Sequence, residues 1–383
     1  MISRRALLQG SLTAALAAPM RRVRAATPLR LGVLLPFSGG LEVVGHQARL
    51  GVELAVARLN AAGGVLGAPI EVTWQDDKTD PKTAVERATS LIQRQKVAAI
   101  IGPILSPSRD AILAVHQRHQ VPLLYAASFE GTTCSPQLFN VGTVPNQELD
   151  ALLAALGGGA DKPFYLFGAD IAWGQKLFPR ARALLSAQGS PVAGQELLAL
   201  GTTDFSATLR RIADSGARVL VQAFPGAGGL NFLKQASQFG LLRQLDYAYV
   251  GFSESGLRAL QPGEGEGIWT QTPFVASLRT EAAASFVAAA RQHAPAILPT
   301  RFATAHYNAV LALAGAAERS KDTSPDALLQ GLPGVALDGP SGPVTLDPAS
   351  RAANQTLYLG RVQAGELVAT RTLGRIQADT LCG

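Results

Sequence analysis

The chain of 383 residues is poor in cysteine, in charge and in long apolar runs. Only Cys134 and Cys382 are present, with no C-x-x-C pair and no histidine beside either, so no local zinc or dithiol motif exists. Cys382 falls in a tail expected to fray, and spacing alone does not bring the two within the ~4.4–6.8 Å Cα separation of a disulfide. Two free thiols are the expectation. Charged residues make up 16 % of the chain, against about a quarter in ordinary globular domains. Mean hydropathy is slightly positive, at +0.17. The most apolar stretches, the first 26 residues, Ala151–Leu156 and Ala309–Ala317, all fall short of the ~20 apolar residues that a spanning helix needs. The mature chain is therefore not expected to insert into a membrane.

Phosphate-binding loops are missing too. There is no G-x-x-x-x-G-K-[ST], and Gly226-Ala227-Gly228-Gly229 fails the G-x-G-x-x-G spacing because Asn231 stands where the last glycine belongs. The net charge of +6 would suit a nucleic-acid partner, but it is unevenly placed. Arg4, Arg5, Arg21, Arg22 and Arg24 lie in the first 26 residues without an acidic residue, so only +1 remains for 27–383. No nucleic-acid partner is expected from a nearly neutral body.

Hydrophobic residues, at 47 %, suffice for large cores, and the length suits about two domains. The start Ser3-Arg4-Arg5-Ala6-Leu7-Leu8 sets twin arginines before an apolar run ending at Pro19. It resembles a twin-arginine export signal, which predicts cleavage near Ala25 or Ala26 and a periplasmic mature protein.

From Leu29 onward short apolar runs alternate with helical ones. Leu29–Leu35, Ile70–Trp74, Val97–Ile101 and Val121–Leu124 read as buried strands, and Gln47–Asn60, Thr83–Gln95 and Ser108–His119 as the helices between them. The alternation restarts at Phe164–Phe167 and continues through Tyr247–Val250. Ala276–His293 and Thr300–Arg319 are helical, Gly339-Pro340-Ser341-Gly342-Pro343 is a stiff break, and Thr356–Val362 with Leu367–Arg371 form a final hairpin. Such βαβ alternation predicts doubly wound parallel sheets. The most economical packing returns the helix pair to the first sheet and the hairpin to the second, leaving a cleft at the carboxyl ends of both.

Catalytic patterns are weak. Gly251-Phe252-Ser253-Glu254-Ser255 nearly matches the G-x-S-x-G nucleophile elbow but ends in serine, and His293 and His306 both lie on helical stretches. A serine hydrolase is the unfavoured alternative. His116 and His119 lack a third ligand and read as surface residues, while Asp76, Asp77 and Asp80 read as a solvated strand exit. No metal, no cofactor and no catalytic residue are expected.

Several strand ends carry a resemblance. Leu31–Gly39, Gly45–Asn60, Gly63-Gly64-Val65-Leu66-Gly67, Asp76-Asp77 and Ile101-Gly102-Pro103-Ile104-Leu105-Ser106 resemble the corresponding segments of type I periplasmic solute-binding proteins of ABC importers. Phe129-Glu130-Gly131, Ser135-Pro136, Pro145-Asn146-Gln147 and Phe167-Gly168-Ala169-Asp170 resemble the amide- and urea-binding branch, and Asp170-Ile171-Ala172-Trp173-Gly174 the D-x-x-Y-G of amino-acid-binding relatives. The resemblance implies an α/β fold of two doubly wound, Rossmann-like lobes joined by a three-strand hinge. Residues 1–26 would be the export signal, 27–146 with 276–341 the first lobe, and 147–275 with 342–383 the second. It implies a receptor, not an enzyme, that hands a small polar solute (an amino acid, amide or urea-like molecule) to the membrane subunits of an importer. A ligand-sensing regulator of the same fold is the alternative.

Within that reading, Ser106 sits between a strand and a helix, where a hydroxyl and free backbone N–H groups suit a carbonyl or carboxylate oxygen. Tyr125, Ala127 and Ser128 follow the next strand into the same crevice. The second lobe would contribute Asp170, Trp173 closing over the ligand, Phe224 as a further wall and Glu254 to receive an α-amino group.

Overall fold

The computed structural model describes residues 27–380 and Cys382, so the export signal expected over 1–26 lies outside the described residues. Five parallel strands open the fold: β1 (Leu29–Leu35), β2 (Ile70–Asp76), β3 (Ala99–Ile101), β4 (Leu123–Tyr125) and β5 (Leu138–Asn140). Helices α1 (Glu42–Ala61), α2 (Pro81–Gln93) and α3 (Ser106–His119) connect the first four, giving the order β2-β1-β3-β4-β5. Strands buried on both faces carry no polar alternation, as in Leu29-Arg30-Leu31-Gly32-Val33-Leu34-Leu35, where all but Arg30 are buried. The start of α2 is written in its sequence: Asp80 accepts a hydrogen bond from Thr83 N and Pro81 takes the first helical position.

After α4 (Asn146–Ala155) the arrangement repeats. Strands β6 (Phe164–Ala169), β7 (Val192–Leu198), β8 (Val219–Ala223), β9 (Asp246–Tyr249) and β10 (Trp269–Thr272) alternate with α5 (Ala172–Ala187), α6 (Ser206–Asp214), α7 (Gly226–Gln238) and the single turn α8 (Glu254–Leu257). Their order is β7-β6-β8-β9-β10, the order of the first sheet over again. The expected class, α/β with two doubly wound lobes, is what the chain adopts.

The helices α9 (Glu281–His293), α10 (Arg301–Ser320) and α11 (Pro325–Gly331) then return to the first lobe. Ala283, Phe286, Ala303, Val310, Leu313 and Leu328 join the core built by β1, β3 and α1. Helices α1 and α10 cross so closely that a Cβ on Gly51 would lie 1.9 Å from Ala303 O. Finally β11 (Ala336–Gly339), β12 (Gly342–Leu346), β13 (Ala353–Gln363) and β14 (Glu366–Ile376) extend the second sheet, with β13 antiparallel to β10 and β14 paired on β13. The Gly339–Gly342 segment is the tip of the β11–β12 hairpin, in which Asp338 and Gly339 pair with Pro343 and Gly342.

Cys134 and Cys382 form a disulfide, with a Cα separation of 5.3 Å across 248 positions of sequence. The expectation of free thiols fails because the tail does not fray. Beyond β14 it is held by Asn146, which donates to Gln377 O and accepts from Asp379 N, and by the Arg180–Asp379 ion pair. It then lies against Gly131 in the first lobe.

Candidate functional site

A 2-1-3-4-5 strand order has its switch point where successive connections leave in opposite directions, and ligands gather outside the carboxyl ends of those strands. Here that point falls between β1 and β3 in one lobe and between β6 and β8 in the other. The loops at those ends enclose a cleft of about 190 Å³. Its first-lobe wall is Gly40–Val44, Ile104–Ser106, Tyr125, Ala127 and Ser128, with Phe302 from α10. Its second-lobe wall includes Ile171, Trp173, Pro225–Ala227, Tyr249 and Phe252. The lobes meet at its edge: Gly226, at φ +67°, sits where a Cβ would approach Leu41 Cδ2 to 2.6 Å and Gly40 O to 3.1 Å.

Ser106 is the first residue of α3, is buried, and lies beside the Tyr125 phenol. Leading N–H groups of a helix have no intrahelical acceptor and carry the positive end of its dipole. Tyr125 is fixed by donating its hydroxyl to Ile104 O at 2.6 Å, and burial pushes its pKa upward. One turn along α3, the fully buried Arg109 lies between the Tyr125 and Phe129 rings, 4.8 and 4.9 Å from their centroids. Its counter-ion is Glu130, at 2.6 Å. Glu130 of the Phe-Glu-Gly segment is thus occupied inside the first lobe.

A second buried ion pair ties the walls together. Glu148 on α4 takes hydrogen bonds from Ser128 Oγ, from Thr143 Oγ1 at 2.6 Å and from Arg301 Nη2 on α10 at 3.0 Å. Its other oxygen accepts from Trp173 Nε1 at 3.1 Å. Ser128 and Trp173, one from each lobe, are therefore held through one carboxylate. Neither Glu148 nor Arg301 was anticipated, and no local signal links residues 153 positions apart.

The structure brings Ser106, Tyr125, Ala127, Ser128 and Trp173 to the cleft and places the other expected residues elsewhere. Asp170 is exposed at the end of β6, where it accepts from Gln175 Nε2 at 2.8 Å. Phe224 points into the core, stacked on Phe167 at 5.6 Å and edge-on to Phe205. Glu254 turns its carboxylate away to accept from Ala276 N at 2.5 Å, and burial raises its pKa to about 7. Its neighbours Ser253 and Ser255 face the cleft instead.

Other expectations are also corrected. His116 is fully buried, with Nδ1 2.8 Å from Val121 O, and burial lowers its pKa to about 4. Asp77 is buried rather than solvated, and its pKa is pushed up to about 6, while Asp76 accepts from Phe37 N and Ser38 Oγ and Asp80 caps α2. Asn146 and Gln147, of the Pro-Asn-Gln segment, hold the tail, β13 and the end of β14. No histidine lines the cleft among the described residues, and no group of three metal-ligating side chains occurs among them.

The sequence model of the family described as periplasmic binding protein matches residues 28–366. Among curated relatives, the Leu/Ile/Val-binding protein homolog 6 of Brucella melitensis is 26 % identical over 359 residues, covering 87 % of each chain. The leucine-, isoleucine-, valine-, threonine-, and alanine-binding protein of Pseudomonas aeruginosa is 24 % identical over 84 % of this chain and 87 % of its own. Among solved structures, a solute binding protein of an ABC transporter from Rhodopseudomonas palustris BisB5, in complex with 3,4-dihydroxy benzoic acid, superposes with a TM-score of 0.82 at 23 % identity. The match covers 92 % of this chain and 98 % of that one. A branched-chain amino acid transporter substrate binding protein from Streptococcus pneumoniae, in complex with isoleucine, gives 0.80 at 23 % identity, covering 91 % and 100 %.

Proposed function

This chain belongs to the periplasmic binding protein family, a family of receptors rather than enzymes, and we propose that it captures a small aromatic carboxylic acid for an ABC importer. The observation that carries this reading is the cleft's lining. Tyr125, Trp173, Tyr249, Phe252 and Phe302 all face it, although aromatic residues are only 6 % of the chain. An apolar cavity of roughly 150 Å³ accommodates benzene, so about 190 Å³ leaves room for one ring and a carboxylate. The carboxylate belongs at Ser106 and the amino end of α3, where a negative charge is favoured.

An amino acid would also need an anion for its ammonium group. Among the described residues the one acidic residue lining the cleft is Glu42, whose carboxylate accepts from Gly40 N at 2.8 Å at the start of α1. Glu254 and Asp170 are turned elsewhere. Urea or a small amide, polar on every side, would leave the aromatic walls unmatched. The complexes of related folds with benzoates support an aromatic acid, while the names of the curated relatives favour a branched-chain amino acid. Closure of the lobes around the ligand would exclude water, and the closed form is what the membrane subunits would recognise, at the periplasmic face. No helix among the described residues is long and apolar enough to cross a membrane.

A thermal-shift series with benzoate, leucine, isoleucine, acetamide and urea tests the reading. An acid present at about 100 times its Kd should add about 2.7 kcal/mol of stability. Stabilisation by leucine or isoleucine with none by benzoates would refute the proposal.

A further inference from the structure

The near-miss nucleophile segment Gly251–Ser255 has no histidine beside it in the cleft, yet its two serines are not idle. Ser253, which precedes α8, and Ser255 within it both line the cleft, and their hydroxyls lie 3.0 Å apart. Glu254, between them, is committed to Ala276 N. Two serine hydroxyls bring two protons and four lone pairs. Their mutual hydrogen bond consumes one of each. No other protein partner is found for either hydroxyl among the described residues. The pair can therefore still donate one hydrogen bond and accept others, which complements a hydroxyl group. The Phe252 and Tyr249 rings, 5.3 Å apart, form the wall beside it.

We propose that the Ser253–Ser255 pair is the second polar end of the binding site and receives a ring hydroxyl, so that the preferred solute is a hydroxylated aromatic acid. This rests on the aromatic-acid reading given above. Ser106 stands after β3, at the start of α3 in the first lobe, whereas the serine pair stands after β9 in the second. A ligand polar at both ends bridges the lobes and stabilises closure; one with a carboxylate alone engages only the first.

Calorimetric titration with benzoate, 3-hydroxybenzoate, 4-hydroxybenzoate and 3,4-dihydroxybenzoate tests this without any variant. At least one hydroxylated acid should bind about tenfold more tightly than benzoate, the worth of roughly one well-made hydrogen bond. In the double variant Ser253→Ala/Ser255→Ala that ratio should fall to near one. Benzoate binding as tightly as every hydroxylated acid, or a ratio that survives the double substitution, overturns the assignment but leaves the aromatic-acid reading standing. Failure of all four acids to bind overturns both.

Discussion

Removing the Cys134–Cys382 bond should destabilise the protein more than any other pair of surface substitutions. The bond joins positions 248 apart, so nearly two thirds of the chain lies within the loop it closes. Cross-linking a denatured chain removes entropy of about 2.1 + 1.5R ln n cal/mol/K, which for this loop gives roughly 5.5 kcal/mol at 25 °C. Residual compactness of the denatured state reduces that figure, and a loss of about 3–5 kcal/mol is expected in Cys134→Ser/Cys382→Ser. The native tail keeps its non-covalent ties at Asn146 and Arg180, so the change resides mainly in the unfolded ensemble. Urea unfolding of the double variant should show a lower midpoint and a steeper dependence on urea, because the freed denatured chain exposes more surface. Wild-type protein unfolded under reducing conditions should give the same curve. A double variant within about 1 kcal/mol of the parent would refute the loop-entropy argument.

Three further outcomes are expected. Ser106→Ala should weaken binding of the best aromatic acid by about 1–3 kcal/mol, the cost of leaving a buried polar group unpaired; an unchanged calorimetric Kd would remove Ser106 from the site. Gly226→Val places a branched side chain where Leu41 Cδ2 stands 2.6 Å from a Cβ position, so the lobes cannot close fully. Kd should then rise at least about tenfold, and an unaltered Kd would show that the contact is not needed for closure. Burial lowers the pKa of both His116 and His306 to about 4, against about 6.5 in the unfolded chain. Their contribution is complete above pH 6.5 and is lost as pH falls towards 4, by on the order of 2–3 kcal/mol each. Urea midpoints measured across that window should fall with acidity, and His116→Gln should flatten the slope; an equal slope in the variant would contradict it.

The alternation of strands and helices was legible because the central parallel strands, such as Leu29–Leu35 and Phe164–Ala169, are mostly apolar runs followed by a helical stripe. Two strands were not: Leu138-Phe139-Asn140 has only two apolar residues, and Trp269-Thr270-Gln271-Thr272 is mostly polar. Their pairing depends on neighbours remote in sequence. At the site, loops after β3 and β4 could be placed from strand ends alone, which is why Ser106, Tyr125, Ala127, Ser128 and, beyond β6, Trp173 reach the cleft. The phase of individual side chains could not. Phe224 faces the core while the adjacent Pro225 faces the cleft, and Glu254 turns away between two serines that do not. The Glu148–Arg301 pair and the disulfide share a different reason for escaping notice, since both are contacts across distances that no local pattern spans.

The return of α9, α10 and α11 to the first lobe has a consequence for synthesis. The last strand of the first sheet ends at Asn140, but α10, whose Ala303 packs on Gly51 of α1, begins only at Arg301. At the pace of translation, about 5–20 residues per second, the intervening stretch takes roughly 8–30 s. Throughout that interval the face of α1 around Gly51, which packs on Ala303 and Tyr307, lacks its partner helix. The second lobe waits as well, for β13 and β14. The first lobe is complete only when α11 has emerged and the second only after β14, so each lobe holds unpaired apolar surface while part of the other is being made.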